Sequence, residues 1–459
     1  MGTSPEASDS NASPAIGPAS GGLGEVAALA APLVLSQILI TTMGVVDSAI
    51  VGRLGASQLA AVGLAGMWVW AISAFFVGAS TAVQTFVAQH HGAGDARRCG
   101  AWCWQGLGSI VPLACVAAVI LFVAAGPIVE ILAPKGDVEP LARGYMRARS
   151  LGIIGLTLAV SLSSFFRGIG DARTPFIATL IANALNVVLD FGLVYGWFGF
   201  PQLGVVGAGI ATAISEWIYA AIVAIAFLRP TIARTFDTRM RLPDLDRVRR
   251  LWRVGLPIAG QWVTEMAAFA IFTTFVGRMG EAPMAASHAF IQIMSLSFMQ
   301  AEGISMATST LVGRYIGADA PAVVERSYRS SLWLGTGLTA IIALLFVTLP
   351  ERLIGLFTTD PDVLAHAAPL LTIGAFYQYC DSMAIVSDGA LRGAGDTKWP
   401  FLMRGGLAWF VMLPLGWFFA FPLDLGLVGA WWGALIAMAT LSLLLFARFR
   451  SGAWRRIQI

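Results

Sequence analysis

The chain has 459 residues, of which 57% are hydrophobic and only 12% charged, with a mean hydropathy of +0.76. A soluble domain carries about 25% charged residues, so this composition excludes a soluble globular protein and places the chain in a bilayer. The net charge of +3 says little as a total, and the four cysteines, Cys99, Cys103, Cys115 and Cys380, are too few and too apolar in setting for a disulfide framework or a zinc site.

In chain order, residues 1–22 are rich in Ser, Ala, Pro and Gly and read as a disordered tail. They lack the basic n-region and short h-region of a cleaved signal peptide. Six apolar runs follow near 26–50, 59–86, 102–125, 143–165, 176–197 and 206–228, each long enough to span a membrane as a helix. In the fifth run, Asn183, Asn186 and Asp190 fall at i, i+3 and i+7 and share one helical face. A carboxylate in hydrocarbon costs a few kcal/mol on insertion scales, so it faces protein or a wet cavity. Two amides and a carboxylate on one stripe exceed what helix packing needs; the stripe reads as a site for a cation or a proton, and the chain as a transporter.

Residues 229–253 form a polar connector with eight arginines and a Leu-Pro-Asp turn at 242–244. Six more apolar runs lie near 254–276, 285–310, 330–349, 367–390, 401–421 and 427–447, before a tail at 449–459. The expected domains are thus an N-lobe at 23–228, the connector, and a C-lobe at 254–448. Loops on the connector side hold 22 of the 29 Lys and Arg and those on the other side hold 7. The positive-inside rule then puts both termini and the connector in the cytoplasm of a multi-pass protein of the inner (plasma) membrane. All the charges deep in the spans are read as acidic.

The halves repeat. Pro32 and Pro257 stand at an offset of 225, as do Val51-Gly52-Arg53-Leu54-Gly55 and Val276-Gly277-Arg278-Met279-Gly280. Arg167-Gly168-Ile169-Gly170-Asp171, with Pro175, matches Arg392-Gly393-Ala394-Gly395-Asp396, with Pro400, at that same offset. Six helices per half make the repeats parallel, related by an axis along the membrane normal, an architecture of secondary transporters. The Arg-Gly-x-Gly-Asp segments read as hairpin chemistry, since a phosphate loop needs a preceding strand.

Together, the twelve runs, the basic connector, the Val-Gly-Arg-x-Gly pair and the paired Arg-Gly-x-Gly-Asp-x-x-x-Pro hairpins resemble a MATE (multidrug and toxic compound extrusion) transporter. The resemblance covers about residues 23–448. It implies an all-α integral membrane protein, twelve transmembrane helices in two pseudo-symmetric six-helix lobes around a central cleft. The activity it implies is cation-coupled export of organic compounds by alternating access. It implies an N-lobe cation site at Asp47, Asn186, Asp190 and Thr212, to which the stripe adds Asn183, and C-lobe acids at Glu265 and Asp381. It leaves open whether H+ or Na+ couples, and which lobe does so. Hard oxygen ligands suit an alkali cation; an apolar, like-charged setting disfavours ionisation and suits a proton carrier equally.

Glu302 joins the C-lobe acids as part of an ion or substrate site, while Glu216 and Asp388 read as structural. Gln84, Trp68, Trp262, Phe269, Gln292 and Tyr377 are candidate cleft-lining residues, with flat faces suited to amphipathic cations. The expected partners are small organic molecules and the lipid bilayer, with no nucleic acid, no cofactor beyond the coupling ion, and a monomeric chain. The alternative is a flippase of lipid-linked precursors, which would want a cleft basic at mid-membrane; further off is an intramembrane aspartyl-type enzyme.

Overall fold

A computed structural model describes residues 20–132, 136–355 and 360–457. The disordered tail expected at 1–22 lies, up to residue 19, outside the described residues. Among the described residues there are twelve long helices: α1 Leu23–Gly52, α2 Ala56–Gly92, α3 Ala96–Leu132, α4 Val138–Gly168, α5 Arg173–Tyr195 and α6 Val205–Phe227 in the first half. The second half holds α7 Leu245–Gly277, α8 Glu281–Gly317, α9 Pro321–Thr348, α10 Pro361–Gly393, α11 Lys398–Ala420 and α12 Gly426–Arg450. Ten of the described helices are long and apolar enough to cross a membrane. The two that fall short, α8 and α10, carry the enclosed charges Glu302, Asp381, Asp388 and Arg392.

Several helices overrun the apolar stretch that betrays them in sequence. α2 and α8 run 37 residues each, far more than the roughly 20 that cross hydrocarbon. In α11 the helix widens to a π turn over Ala408–Met412. Pro414 follows, with no N–H to return to the carbonyl four residues back, and the ladder shifts there.

The Arg-Gly-x-Gly-Asp hairpins end α4 and α10 in the same way. Gly170 (φ +86°) and Gly395 (φ +83°) take the left-handed conformation that glycine adopts without strain. Gly170 N–H then donates to Arg167 O and Asp171 N–H to Phe166 O, and Gly395 N–H and Asp396 N–H do the same to Arg392 O and Leu391 O, all at 2.9 Å. This pair of bonds is the Schellman closure of a helix end. Asp171 Oδ1 accepts from the N–H groups of Arg173 and Thr174 and so opens α5.

The repeat governs the packing. α2 lies on α4 and α4 on α6, as α8 lies on α10 and α10 on α12; α1 crosses to α8, as α7 crosses to α2. A Cβ on Gly92 would stand 1.8 Å from Arg314 O, and one on Gly317 would stand 1.9 Å from Gln89 O. A Cβ on Gly78 would meet Ala259 Cα at 2.9 Å, and one on Gly303 would meet Val34 Cα at 2.7 Å. In each pair, one contact maps onto the other through the repeat offset. Hydrocarbon offers no hydrophobic drive between helices, so backbones held this close by small residues supply dispersion instead. Among the described residues, every inter-lobe hydrogen bond falls on the connector side of the molecule: Gln84 to Met306 and Thr310, Thr85 to Arg392, Gln89 to Gly393, Thr310 to Arg167, Arg314 to Ile169, Tyr315 to Glu25 and Ser330 to Gly21. The lobes are seamed at that end.

The connector is docked along its length. A short helix, Pro230–Phe236, leads to Thr238, whose carbonyl accepts from Trp104 Nε1 at 2.9 Å. Gln105 on α3 donates to Leu242 O and accepts from Asp244 N–H, and Asp244 caps α7. After α12, the tail turns through Ala453–Arg456 and buries Trp454 on Phe449, with ring centroids 5.4 Å apart.

Candidate functional site

Parallel packing of α1 on α5, with α6 running antiparallel alongside, sets the depth of the N-lobe acids. Asp47 is late in α1, Asp190 late in α5 and Thr212 early in α6, so all three stand toward the side opposite the connector. Asn186 and Asp190 are fully buried, and Asp47 is half-buried. With the Asn186 amide turned so that both its ends are satisfied, Nδ2 donates to Asp47 Oδ1 and to Asp190 Oδ2, each at 3.0 Å. Its Oδ1 accepts from Thr212 N–H at 3.3 Å. One amide thus bridges two carboxyls that are close enough to interact directly. Asp190 Oδ1 remains buried without a hydrogen-bond partner. The Thr212 hydroxyl stands beside Asp47 and donates to Ala208 O of its own helix at 2.9 Å. Asn183 does not join the cluster: Nδ2 donates to Leu39 O at 2.9 Å and ties α5 to α1 two turns away.

The expectation that the enclosed charges are all acidic is wrong. Arg149 of α4 donates to Glu216 of α6 at 2.9 Å, with side chains 12% and 13% exposed, inside the same lobe as the acid pair. In the C-lobe, Arg404 of α11 donates to Glu265 of α7 at 2.9 Å. Arg392 of α10 lies 3.1 Å from Asp388 and 3.5 Å from Glu302, and donates to Ser305 at 2.9 Å. Gln261 donates to Asp388 at 3.4 Å. Glu216 and Asp388 are structural to the extent that each is held by an arginine. Asp381 is buried beside Tyr377 and near Arg404. The arginines were missed because Arg149, Arg392 and Arg404 lie near span ends and read as loop charge. Only Arg392, four residues after Asp388, carried a local signal.

The Glu265–Arg404 pair separates two small cavities. One, of about 30 Å³, is lined by Gln261, Trp262, Glu302 and Asp388; the other, of about 80 Å³, by Phe269, Tyr377, Met412 and Met438. The second abuts the π turn of α11. Of the candidate lining residues, Gln84 does not line an open cleft: it sits in the seam, donating to Met306 O and Thr310 and accepting from Arg167 Nε at 3.1 Å. Trp262 leans on Gly78 at the seam. Trp68, Phe269 and Gln292 are exposed, and Tyr377 packs edge-on to Trp431.

A family model, MatE, matches residues 32–191 and again 257–418. The two matched stretches begin at Pro32 and Pro257, the prolines that mark the repeat. This chain belongs to the MatE family. Among curated relatives, a probable multidrug resistance protein NorM of Rhizobium meliloti is 31% identical over 430 residues, covering 92% of this chain and 91% of its own. Multidrug resistance protein NorM of Burkholderia vietnamiensis is 31% identical over 434 residues, with 93% of each chain covered. In fold, the chain matches an outward-facing conformation of a multidrug resistance MATE family transporter of the MOP superfamily, with a TM-score of 0.85 at 21% identity over 95% of this chain and 97% of that one. A crystal structure of MATE in complex with MaL6 gives a TM-score of 0.86 at 21% identity over 95% and 98%. As a MatE protein the chain is a membrane transporter and not an enzyme, and its twelve helices form the two six-helix lobes of that fold.

Proposed function

We propose that this MatE protein is a secondary active multidrug exporter, in which inward movement of a cation, H+ or Na+, drives organic and often cationic amphipathic compounds outward by alternating access. Its NorM-like relatives carry multidrug resistance in their names. The observation that carries the coupling is the Asp47–Asn186–Asp190 bridge, with Asp190 Oδ1 buried and unpartnered. Two carboxyls joined by a single neutral amide are short of positive charge, and a small cation or a proton at Oδ1 supplies it. The donor set fits either ion. Of the four groups expected to ligate sodium, the carboxylates offer oxygens as they stand, whereas Asn186 and Thr212 would have to turn theirs toward it.

The connector-side seam supports reading this state as the outward-open member of the cycle, in the inner membrane with cytoplasmic termini. The charge asymmetry behind that orientation survives removal of the four enclosed arginines, three from one side and one from the other. An ion entering from outside fills the N-lobe bridge and lowers drug affinity; its release inside, once the seam has opened, readmits drug. Each net charge carried inward through 100 mV yields about 2.3 kcal/mol, a factor of roughly 40 in drug gradient.

A flippase of pyrophosphate-linked lipids is disfavoured because the enclosed arginines are already committed. Arg149, Arg392 and Arg404 each face an acid, and Arg167 donates to Gln84 and Ser164. The test is efflux of a fluorescent organic cation from proteoliposomes under separate sodium and proton gradients. Wild type should respond to one of them and Asp190→Asn to neither; wild-type efflux by that variant removes the N-lobe bridge from the mechanism.

A further inference from the structure

On the outer flank of the C-lobe, away from both acid clusters, α9, α10 and α12 enclose a groove of about 620 Å³. Its floor is aromatic: Tyr328 packs on Phe449 with ring centroids 4.1 Å apart, and Phe446 lies alongside. Its rim at the connector end carries exposed Arg326, Arg329 and Arg450. The acid on that rim, Glu325, is taken up by Arg455 at 2.5 Å, and Arg329 and Arg450 leave the mouth positive. Further along α9 stands Trp333, 72% exposed, with Thr336 beyond it and Tyr379 and Met383 opposite on α10.

The chemistry changes with depth. From Arg326 to Thr336 is ten residues of helix, about 15 Å of rise and half of a hydrocarbon core. The groove therefore runs through one leaflet, cationic where headgroups lie and apolar where chains lie. Indole rings favour that boundary, and basic pockets between transmembrane helices on the cytoplasmic side suit anionic headgroups. A zwitterionic headgroup would place a cation among three guanidinium groups. We propose that this groove binds an anionic phospholipid, its phosphate held by Arg326, Arg329 and Arg450 and one chain lying along Trp333, Met383 and Phe446. The groove is distinct from the Arg-rich connector, whose charge is the more conspicuous in sequence. α10 forms one wall of the groove and also carries Asp381 and Asp388, so lipid occupancy bears on the helix that holds the C-lobe acids.

The experiment titrates the delipidated full-length protein in detergent with dioleoyl phosphatidylglycerol. Native mass spectrometry counts bound lipid, and thermal unfolding reads the stabilisation. Phosphatidylglycerol should bind saturably at one per chain and raise the unfolding temperature. The matched phosphatidylcholine should bind more weakly, and soluble glycerophosphoglycerol should compete poorly. Each arginine changed to glutamine among Arg326, Arg329 and Arg450 should weaken binding by about fivefold, and Trp333→Ala should weaken it with the charges intact. Arg234→Gln with Arg239→Gln, in the connector, should leave it unchanged. If another of these variants does not fold, Arg329→Gln alone carries the comparison. Equal binding of the two lipids, wild-type affinity in Arg329→Gln, or full displacement by glycerophosphoglycerol would overturn the proposal, the last by reducing the site to one for a free phosphate ester.

Discussion

Thr85 and Thr310 are repeat partners, and each hands its hydroxyl to the other lobe: Thr85 Oγ1 donates to Arg392 O and Thr310 Oγ1 to Arg167 O, both at 3.0 Å. Their acceptors are themselves partners under the same offset. A two-fold relation legible as a sequence offset is thus realised as a symmetric latch on the connector side, where α2 and α8 pass the arginines that close α4 and α10.

The tightest point of that latch is testable by adding one carbon. Gly92→Ala would put a methyl 1.8 Å from Arg314 O, and backbone cannot swing aside as a side chain can. Overpacking of this kind costs about 1–3 kcal/mol, charged only to the latched state. Spin labels at Arg98 and Ala322 should report a longer distance and a larger open population in Gly92→Ala, and Gly317→Ala should match it by symmetry. Unchanged distance distributions in both would show that the seam tolerates the methyl without parting.

In the N-lobe, Asn186 is the donor for two carboxyls at once. Asn186→Ala leaves both without it, at about 1–3 kcal/mol for a buried acceptor unmet, and should lower the unfolding temperature in detergent. Removing one charge as well, in Asn186→Ala with Asp190→Asn, should cost less than the sum of the two single changes. A coupling of at least about 0.5 kcal/mol marks residues in contact; additive losses would mean that the bridge is absent in solution.

The sequence carried the twelve spans, the repeat and the stripe at Asn183, Asn186 and Asp190 because each is a periodicity or an offset within one chain segment. Sequence reasoning failed for charges at span ends. Arg404 reads as a loop residue by hydropathy, and only the fold puts Glu265, 139 positions earlier, 2.9 Å from it. Gln84 fared likewise: as a lone polar residue in a span it suggests a cleft, while its two partners on α8 exist only once the lobes close and its third, Arg167, only once α4 packs on α2. Asn183 shows the converse, sharing the stripe of Asp190 yet bonding a backbone carbonyl, since one helical face is long enough to serve two purposes.

The Arg149–Glu216 pair is enclosed, and a single partner lost would strand a charge. Arg149→Met should destabilise by about 3–5 kcal/mol, seen as a large fall in unfolding temperature. The double change with Glu216→Leu should recover most of it, because two apolar side chains of similar volume need no counter-charge. A double variant as unstable as Arg149→Met would mean that the arginine serves the neighbouring Asp47 and not Glu216.

Glu265 offers a way to separate substrate from coupling ion. Its carboxylate is 43% exposed beside a cavity walled by Phe269 and Tyr377, while Arg404 behind it is only 9% exposed. Glu265→Gln removes the accessible negative charge and leaves the guanidinium unopposed at the same place. A monocationic ligand should then bind at least about tenfold more weakly, a penalty of about 1.4 kcal/mol, while a neutral amphiphile of the same shape is little affected. Changing Arg404→Gln in addition should return most of the cation's affinity, since the repelling charge goes with it. Fluorescence binding titrations on the purified protein, run with both ligands, separate this from a packing defect, which would weaken both alike and would not be rescued. If cation and neutral ligand lose affinity equally in Glu265→Gln, the pair is a strut of the C-lobe and the drug is recognised elsewhere.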